Sequence, residues 1–423
     1  MYDVAILGAG PAGLAAAVAG RLLGVEVVIV EQGKLLHERS LKQQSEIVSG
    51  VGGAGLCSDG KFSFFPSATA LWSVQPSTRL KMGYQWLREL LNTVGMVVPE
   101  FPACTSQASA FPANLLIRKE YPSFYLPVKE RNSIVRYLAA QVTQFMRPQR
   151  RVLMIRQSAD GSVRLLGEDG LILAQARQVV LASGRLGPLM LRQALDPEEF
   201  VFRRIELGVR IEQPAENFLL EHDRCLDPKL MIDSGNGHSW RTFCCCRNGE
   251  VLATSSSDLT LVSGRADCPP TGRSNVGFMV RFTDPRAGMA AWRDALRRQP
   301  LEAPAVEQLD ELMDATGQLR AASRVAETLG TRTASRLVEG LDLLRTSLGT
   351  LIMDAEIHAP AIEGVGWYPR VGSDLQIPQR PMFVAGDATG MFRGLTAALV
   401  SGHVAGSAAA QAAIDGKSRR ARK

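Results

Sequence analysis

Three glycines, Gly8, Gly10 and Gly13, stand between an apolar run, Asp3 to Leu7, and an Ala/Leu-rich run that ends at Leu23. A second apolar run, Val25 to Val30, leads into Glu31. This is strand, glycine turn, helix, strand, acid, and the chemistry it suits is the grip of a pyrophosphate and a ribose. Gly8 permits a tight exit from the strand. Gly10 lets backbone amides approach a phosphate, and Gly13 lets the helix pack close to the sheet. Pro11 and Ala12 open that helix, whose free N–H groups and positive dipole end attract an anion. Glu31, with Gln32 beside it, stands where an acid accepts hydrogen bonds from a ribose diol. A glycine turn in an α/β sheet without a ligand is the plainer reading; the flanking strand, helix and acid, all in order, argue against it. The uncharged run 4–20 also invites a secretory or membrane reading. No basic stretch precedes it, Asp3 stands there instead, and glycines interrupt it.

Residues 49–61 are the second stretch with chemical promise. Five glycines among residues 50–60 exclude a regular strand or helix interior. Soon after a dinucleotide unit, such a run reads as a loop lying flat on the isoalloxazine ring of FAD, through Gly53, Ala54, Gly55, Ser58, Asp59 and Gly60. A flexible linker would be richer in serine and poorer in apolar residues. Between the two stretches, Arg39 has the reach for a diphosphate or the adenosine ribose, and a surface arginine satisfies the same spacing.

The third is near the end of the chain. Pro381 to Ala385 reads as a strand, followed by Gly386-Asp387, a short turn through Arg393, and a helix of small residues from Leu395. Asp387 suits a ribityl hydroxyl. The N–H groups of Gly394 and Leu395, at a helix N-terminus, suit the pyrimidine edge of a flavin, where negative charge builds on reduction. Gly-Asp before a helix is by itself an ordinary capping turn.

The run Gly52-Gly53-Ala54-Gly55-x-x-Ser58-Asp59-Gly60-Lys61 resembles the signature of a poorly characterised group of bacterial FAD-dependent dehydrogenases in the glutathione-reductase-like flavoprotein superfamily. Arg241-Thr-Phe-Cys-x-Cys-x-x-Gly-x-Val251, Ser255 to Ser257, Gly272 to Asn275 and Arg393-Gly394 are similar to that group as well. The strand ending Ser183-Gly184 resembles the stretch where these flavoproteins pass near the cofactor, and Val152, in the strand Arg151 to Arg156, is carried over with it. The resemblance implies an α/β protein: a GxGxxG Rossmann-type FAD-binding domain with an inserted mixed α+β substrate or cap domain. It implies non-covalent FAD and hydride transfer between a small organic substrate and flavin N5. Cys57 departs from the group, which carries an aromatic residue there, and brings a small thiol near the expected flavin.

These segments must be positioned by the rest of the chain. The FAD domain is expected from 1–70, 129–200 and 352–416, and the substrate or cap domain from 71–128 and 201–351. Prolines make 70–128 irregular, with a short helical turn at 86–91. Helical spacing predicts a helix over 129–146, and further helices near 306–316 and 334–347. Asp160-Gly161 and Asn248-Gly249 mark hairpins, and 204–212 alternates as a half-buried strand.

Composition narrows the function classes. Lys and Arg number 48 against 42 Asp and Glu, for a net charge of +6. Much of that excess lies in 417–423, read as a basic disordered tail, so the body is nearly neutral and unsuited to nucleic acid. Seven scattered cysteines suit a reducing cytoplasm. Adjacent strand residues point to opposite faces, so Cys244, Cys245 and Cys246 cannot converge on one ion. No metal is expected. Buried structural thiols are the main reading, and a redox or substrate-facing Cys244 or Cys246 the alternative.

The absence of a second GxGxxG unit and of a Cys-x4-Cys pair favours a dehydrogenase or oxidase reduced by its own small-molecule substrate. A reductase or monooxygenase using NAD(P)H as a transient reductant is the alternative, and a non-catalytic flavoprotein a third. Gly-Met-Phe-Arg393 stands where aromatic hydroxylases carry a proline-containing turn, and the Trp-x-Trp-x-x-Pro pattern of flavin halogenases is missing. Cys57, Lys61 and Arg241 are the catalytic candidates, Arg241 as a clamp for a substrate carboxylate. Neither a membrane nor an oligomeric state is indicated.

Overall fold

The computed structural model describes residues 1–56, 60–103, 116–256, 258–349 and 354–421. In chain order the first elements are β1 (Tyr2–Leu7), α1 (Pro11–Leu22), β2 (Val27–Val30), α2 (Gln44–Val48), β3 (Lys61–Ser63), α3 (Ser77–Asn92), β4 (Ile117–Lys119), β5 (Ser123–Tyr125), α4 (Val128–Ala140), β6 (Met146–Arg147), β7 (Met154–Gln157), β8 (Val163–Leu166), β9 (Ile172–Leu181) and α5 (Gly187–Ala194). There follow β10 (Phe200–Pro214), β11 (Lys229–Asp233), β12 (His238–Cys246), β13 (Glu250–Ser256), β14 (Leu259–Arg265), β15 (Arg273–Phe282), α6 (Pro285–Leu296), β16 (Ala305–Gln308), α7 (Leu309–Leu312), α8 (Arg324–Leu329), α9 (Thr331–Leu348), β17 (Glu356–Pro369), β18 (Met382–Val384) and α10 (Leu395–Ala421). Two compact units emerge: Met1–Gln107, Phe124–Val201 and Trp367–Lys423 form one, Ala108–Ser123 and Phe202–Gly366 the other.

The first unit is built on a sheet of order β6-β2-β1-β9-β8-β7, with β18 also paired to β9. Its central pairs are parallel, and their register is what matters for a site. Leu7 lies opposite both Val30 and Leu181, and Val384 opposite Leu181. Four strands therefore end level, and Gly8, Glu31, Ala182 and Ala385 leave the sheet at one edge. Ligands of open α/β sheets bind outside the carboxyl ends of the strands. Helices α1 and α10 pack closely on each other; a Cβ at Gly402 would stand 2.1 Å from the Ala12 carbonyl oxygen, so only glycine allows this approach.

α3 also belongs to this unit, which corrects the expectation that placed 71–128 in the substrate domain. It is a full helix because Leu80, Tyr84, Leu87 and Leu91 recur on one buried face, while Pro99 and Pro102 fall after it. The predicted helix over 129–146 stops at Ala140. α10 continues to Ala421, so residues 417–421 of the expected tail are helical; Lys417 Nζ donates to Asp3 Oδ2 at 2.8 Å. Among the described residues, Leu395–Arg419 is long and apolar enough to cross a membrane, yet 78% of its most apolar window is buried inside the protein.

The second unit holds a sheet of order β16-β17-β10-β15-β12-β11-β4. One face, with Ile205, Leu207, Val209, Phe278, Val280 and Trp240, is buried. α6 and α9 pack there: a Cβ on Gly288 would touch Ile205, one on Gly340 would overlap Trp240, and Trp240 Nε1 donates to the Arg336 carbonyl at 2.6 Å. The alternate residues of β10, Arg204, Glu206, Arg210 and Glu212, make the other face polar. Much of β17 runs in this sheet, although 352–366 was expected in the FAD domain. Two local expectations also change. Asn248-Gly249 does not close a hairpin: β12 pairs with β11 and β15, whereas β13 pairs with β14. Residues 305–308 are strand rather than helix, because Val306 joins the sheet edge opposite His358 and tertiary pairing overrides local propensity.

Candidate functional site

The site candidates gather at the level strand ends of the first unit. Gly8 turns the chain out of β1 with φ +99°, and Gly10 precedes α1 with no side chain capping the helix. The first amides of α1 are thus available to an anion. Gly13 is the point of closest approach: a Cβ there would stand 1.8 Å from Gly8 O.

Glu31 is 5% exposed. Its Oε2 accepts from Ala9 N at 2.7 Å, and its Oε1 from Gly33 N at 2.8 Å and Gly50 N at 3.1 Å. A carboxylate offers about four acceptor positions. The three amides leave one on Oε2, enough for a ribose hydroxyl. Glu31 thereby ties the turn after β1 to the start of the glycine loop.

That loop lies across the start of α1. Gly52 N donates to Ala9 O at 2.9 Å. A Cβ on Gly53 would stand 3.0 Å from Gly10 Cα, and one on Gly55 would stand 3.1 Å from Pro11 Cγ and 2.6 Å from Leu395 Cδ2. The first, second and last motifs therefore meet. The Arg39 guanidinium donates to the carbonyls of Glu46, Ile47, Val51 and Gly53, so it braces the loop from within.

At the end of the chain, Gly386 N donates to Ser401 Oγ at 3.0 Å, and a Cβ on Gly386 would stand 2.9 Å from Ala12 Cβ. Asp387 Oδ2 lies 3.5 Å from Arg393 Nε. Gly184 and Gly394 both have positive φ and open space where a Cβ would stand. Nearby, Ser183 Oγ and Thr396 Oγ1 are buried without a hydrogen-bond partner among the described residues. Orphaned hydroxyls beside an uncapped helix start, glycines with free space and a carboxylate with a spare acceptor position fit a polar ligand in this place. Thr396 was not singled out from the sequence, because a threonine in a first helical turn carries no signal of its own.

Val152 is a core side chain, 4% exposed, in the cluster that holds Leu7, Val30 and Leu181, and Gln32 and Ala54, both exposed, adjoin Glu31 and Gly53. Gly60 is a packing glycine: a Cβ would collide with Arg131 Nη1, which donates to the Leu126 carbonyl at 2.7 Å. Lys61 is half-buried at the start of β3, which pairs with β5. Cys57, Ser58 and Asp59 lie outside the described residues.

Arg241 belongs to the second unit, and its fork is already committed. Nε and Nη2 donate to the two oxygens of Glu206 at 2.9 and 3.1 Å. Arg281 Nη2 lies 2.7 Å, and Arg204 Nε 3.1 Å, from the same carboxylate, which is 0% exposed. Arg241 is a strand-locking residue here, in place of the expected clamp on a substrate carboxylate. In the same unit Glu212, Glu356 and His358 bring ligand atoms within 4.8 Å of one another. Arg273 Nε donates to Glu212 at 2.9 Å and supplies the positive charge a metal would bring. Burial pushes the Glu212 carboxyl up, but His358 and Arg273 outweigh it and hold it below the usual carboxylate range. An open cleft of about 1470 Å³, lined by Arg118, Tyr121, Phe218, His222 and Arg224 among others, includes none of the sequence candidates.

No protein-family model matches the chain, and no curated protein matches it. Solved structures resemble it distantly. A flavoprotein/dehydrogenase from Cytophaga hutchinsonii has a TM-score of 0.40 and 14% identity, over 98% of this chain and 79% of that one. Tetracycline destructase Tet(51) has a TM-score of 0.39 and 13% identity, over 97% and 83%. CtdE in complex with FAD has a TM-score of 0.37 and 13% identity, over 99% and 90%. Matches this remote leave the chemistry to be argued from the chain's own residues.

Proposed function

We propose that the first unit is a Rossmann-type domain that holds FAD non-covalently, and that the protein is an FAD-dependent dehydrogenase or oxidase acting on a small organic substrate. The observation that carries this is the convergence of four sequence-distant segments at one edge of a parallel sheet, around an uncapped helix start. In this reading the α1 amides take the pyrophosphate and Glu31 Oε2 a ribose hydroxyl. The backbone of Gly53 to Gly55 lies along the cofactor, Asp387 takes a ribityl hydroxyl, and the N–H groups of Gly394 and Leu395 polarise the pyrimidine edge. Bound FAD would supply a two-electron acceptor for a hydride from the substrate. The glycines keep side chains away from the cofactor's path.

An anaerobic absorbance titration with NADH and then NADPH tests the reading. A yellow protein whose flavin bands persist with both, and bleach with an amine, alcohol or acid, is the expected result. Rapid bleaching by stoichiometric nicotinamide would replace it with a reductase or monooxygenase. A protein that does not take up FAD would end it.

A further inference from the structure

We propose that Cys244 and Cys246 form a redox-active dithiol in the second unit, with Arg210 as the fixed counter-cation of a Cys246 thiolate, and that a hydroperoxide closes the pair to an intramolecular disulfide. The local fold makes the pair. Phe243 pairs with Gly277 and Cys246 with Asn275, so Cys244 and Cys245 together oppose Val276. This is a bulge, and it bends the strand. Cys244 takes a positive φ of 50°, and its sulfur comes within 3.7 Å of the Cys246 sulfur. Cys245 is held out of the pair, with its amide donating to Asp227 Oδ1 at 2.9 Å.

Arg210 gives the pair its chemistry. It is 1% exposed. Nε donates to Asn275 Oδ1 at 2.7 Å, Nη2 donates to the Cys244 carbonyl at 2.7 Å, and Nη2 lies 3.5 Å from Cys246 Sγ. β14 covers it so closely that a Cβ on Gly264 would stand 2.1 Å from Nη2. Among the described residues no carboxylate pairs with it. A guanidinium does not give up its proton in a protein, and a buried charge without a counter-charge is strongly disfavoured. The groups beside it that can become anions are cysteine thiols, those of Cys246 and Cys244 foremost and that of Cys245 after them. Burial works to pull the Arg210 guanidinium down, and the Cys246 and Cys244 sulfurs overcome it and raise it. A cation beside a cysteine favours the thiolate in turn.

Cys244 is the half-buried member and Cys246 the buried one, so Cys244 meets the oxidant. The pair shares one proton between two sulfurs. The Cys246 thiolate takes the Cys244 proton, and the Cys244 thiolate so formed attacks a peroxide oxygen: an S–O bond forms, the O–O bond breaks, and the leaving alkoxide takes that proton back from Cys246 and departs as alcohol. The Cys246 thiolate then attacks the Cys244 sulfur. The S–S bond forms and hydroxide leaves. The sulfurs lose two electrons, and the peroxide gains them.

The test treats reduced full-length protein with stoichiometric tert-butyl hydroperoxide, alkylates it and maps the cysteines by peptide mass. A Cys244–Cys246 bridge, about 2 Da lighter and reopened by dithiothreitol, is expected. Alkylation of both residues after treatment, or a bridge to another cysteine, would overturn the proposal. Cys246→Ser is expected to accumulate a sulfenic acid on Cys244 that dimedone traps. Arg210→Met is expected to slow bridge formation about tenfold, the change in thiolate fraction for one pKa unit, while Arg210→Lys keeps most of the rate. An Arg210→Met protein that folds and bridges as fast as wild type would remove Arg210 from the account. If a variant fails to fold, the wild-type bridge map decides.

Discussion

Two buried glutamates, one in each unit, are stabilised by opposite means. Glu31 accepts hydrogen bonds from three backbone amides and has no cation beside it among the described residues. Glu206 is surrounded by three guanidinium groups, with Arg241 and Arg281 both bonded to it and Arg204 within ion-pair distance. Amides carry partial charges on atoms that the fold fixes anyway, so Glu31 is held while part of its acceptor capacity stays open. Guanidinium forks fill the carboxylate and cross-link β10, β12 and β15. A carboxylate prepared for a ligand is held by backbone; one that locks a sheet is held by side chains and has nothing left to offer.

The largest expected effect breaks the second arrangement. Glu206→Gln leaves three arginines facing a neutral amide, and removal of one partner from a buried ionic group costs about 3–5 kcal/mol. Urea unfolding of the variant measures it; a loss below ~1 kcal/mol would show that the arginines find other partners. Next is the ground on which Glu31 stands. Gly13→Val puts a branched side chain where a Cβ already meets Gly8 O at 1.8 Å. Over-packing of this kind costs about 3 kcal/mol, and the variant is expected to come through purification without flavin, as its visible spectrum reports.

His403 sharpens the contrast, because it has neither device. It is 6% exposed, packs its ring 4.9 Å from that of Trp86, and Nδ1 has no partner among the described residues. Burial pulls its pKa down from 6.5 to about 4. The folded state therefore keeps His403 neutral while the unfolded chain takes up a proton. Its contribution is present above pH 6.5 and is lost as pH falls towards 4, by roughly 3 kcal/mol in all. His403→Leu is expected to flatten that part of the pH dependence of unfolding; an unchanged acid slope would refute it. The smallest effect is Glu31→Gln, which keeps the shape and weakens the three amide bonds. A loss of about 1–2 kcal/mol in FAD affinity is expected, read by flavin fluorescence.

The same contrast explains what could be read from sequence. Glu31 was legible because the strand, turn and helix that present it are contiguous, and its partners Ala9, Gly33 and Gly50 lie within the motifs themselves. The parallel strand ends at Leu7, Val30, Leu181 and Val384 follow from apolar runs that stop at Gly8, Glu31, Ser183 and Gly386. Glu206 was not legible. Its partners come from β12 and β15, and nothing in the alternation of 204–212 says which arginine will lie opposite. Arg241 looked like a free fork for that reason. The partners of Arg39 were not legible either, since they are carbonyl groups of a loop whose path the composition does not set. The sequence of α3 showed prolines after it but not the packing on α10 that extends it. The Asn248-Gly249 turn has hairpin chemistry, yet the strands on its two sides pair with other partners, β12 with β15 and β13 with β14.

The measurement that tests the central proposal most directly is a fluorescence titration of apoprotein with FAD and, in parallel, with riboflavin. Glu31 and the α1 amides address the adenosine diphosphate half, so FAD is expected to bind one per chain and at least about tenfold more tightly than riboflavin, a difference of ~1.4 kcal/mol. No saturable binding of FAD, or equal affinity for the two, would contradict the assignment of the level strand ends as its site.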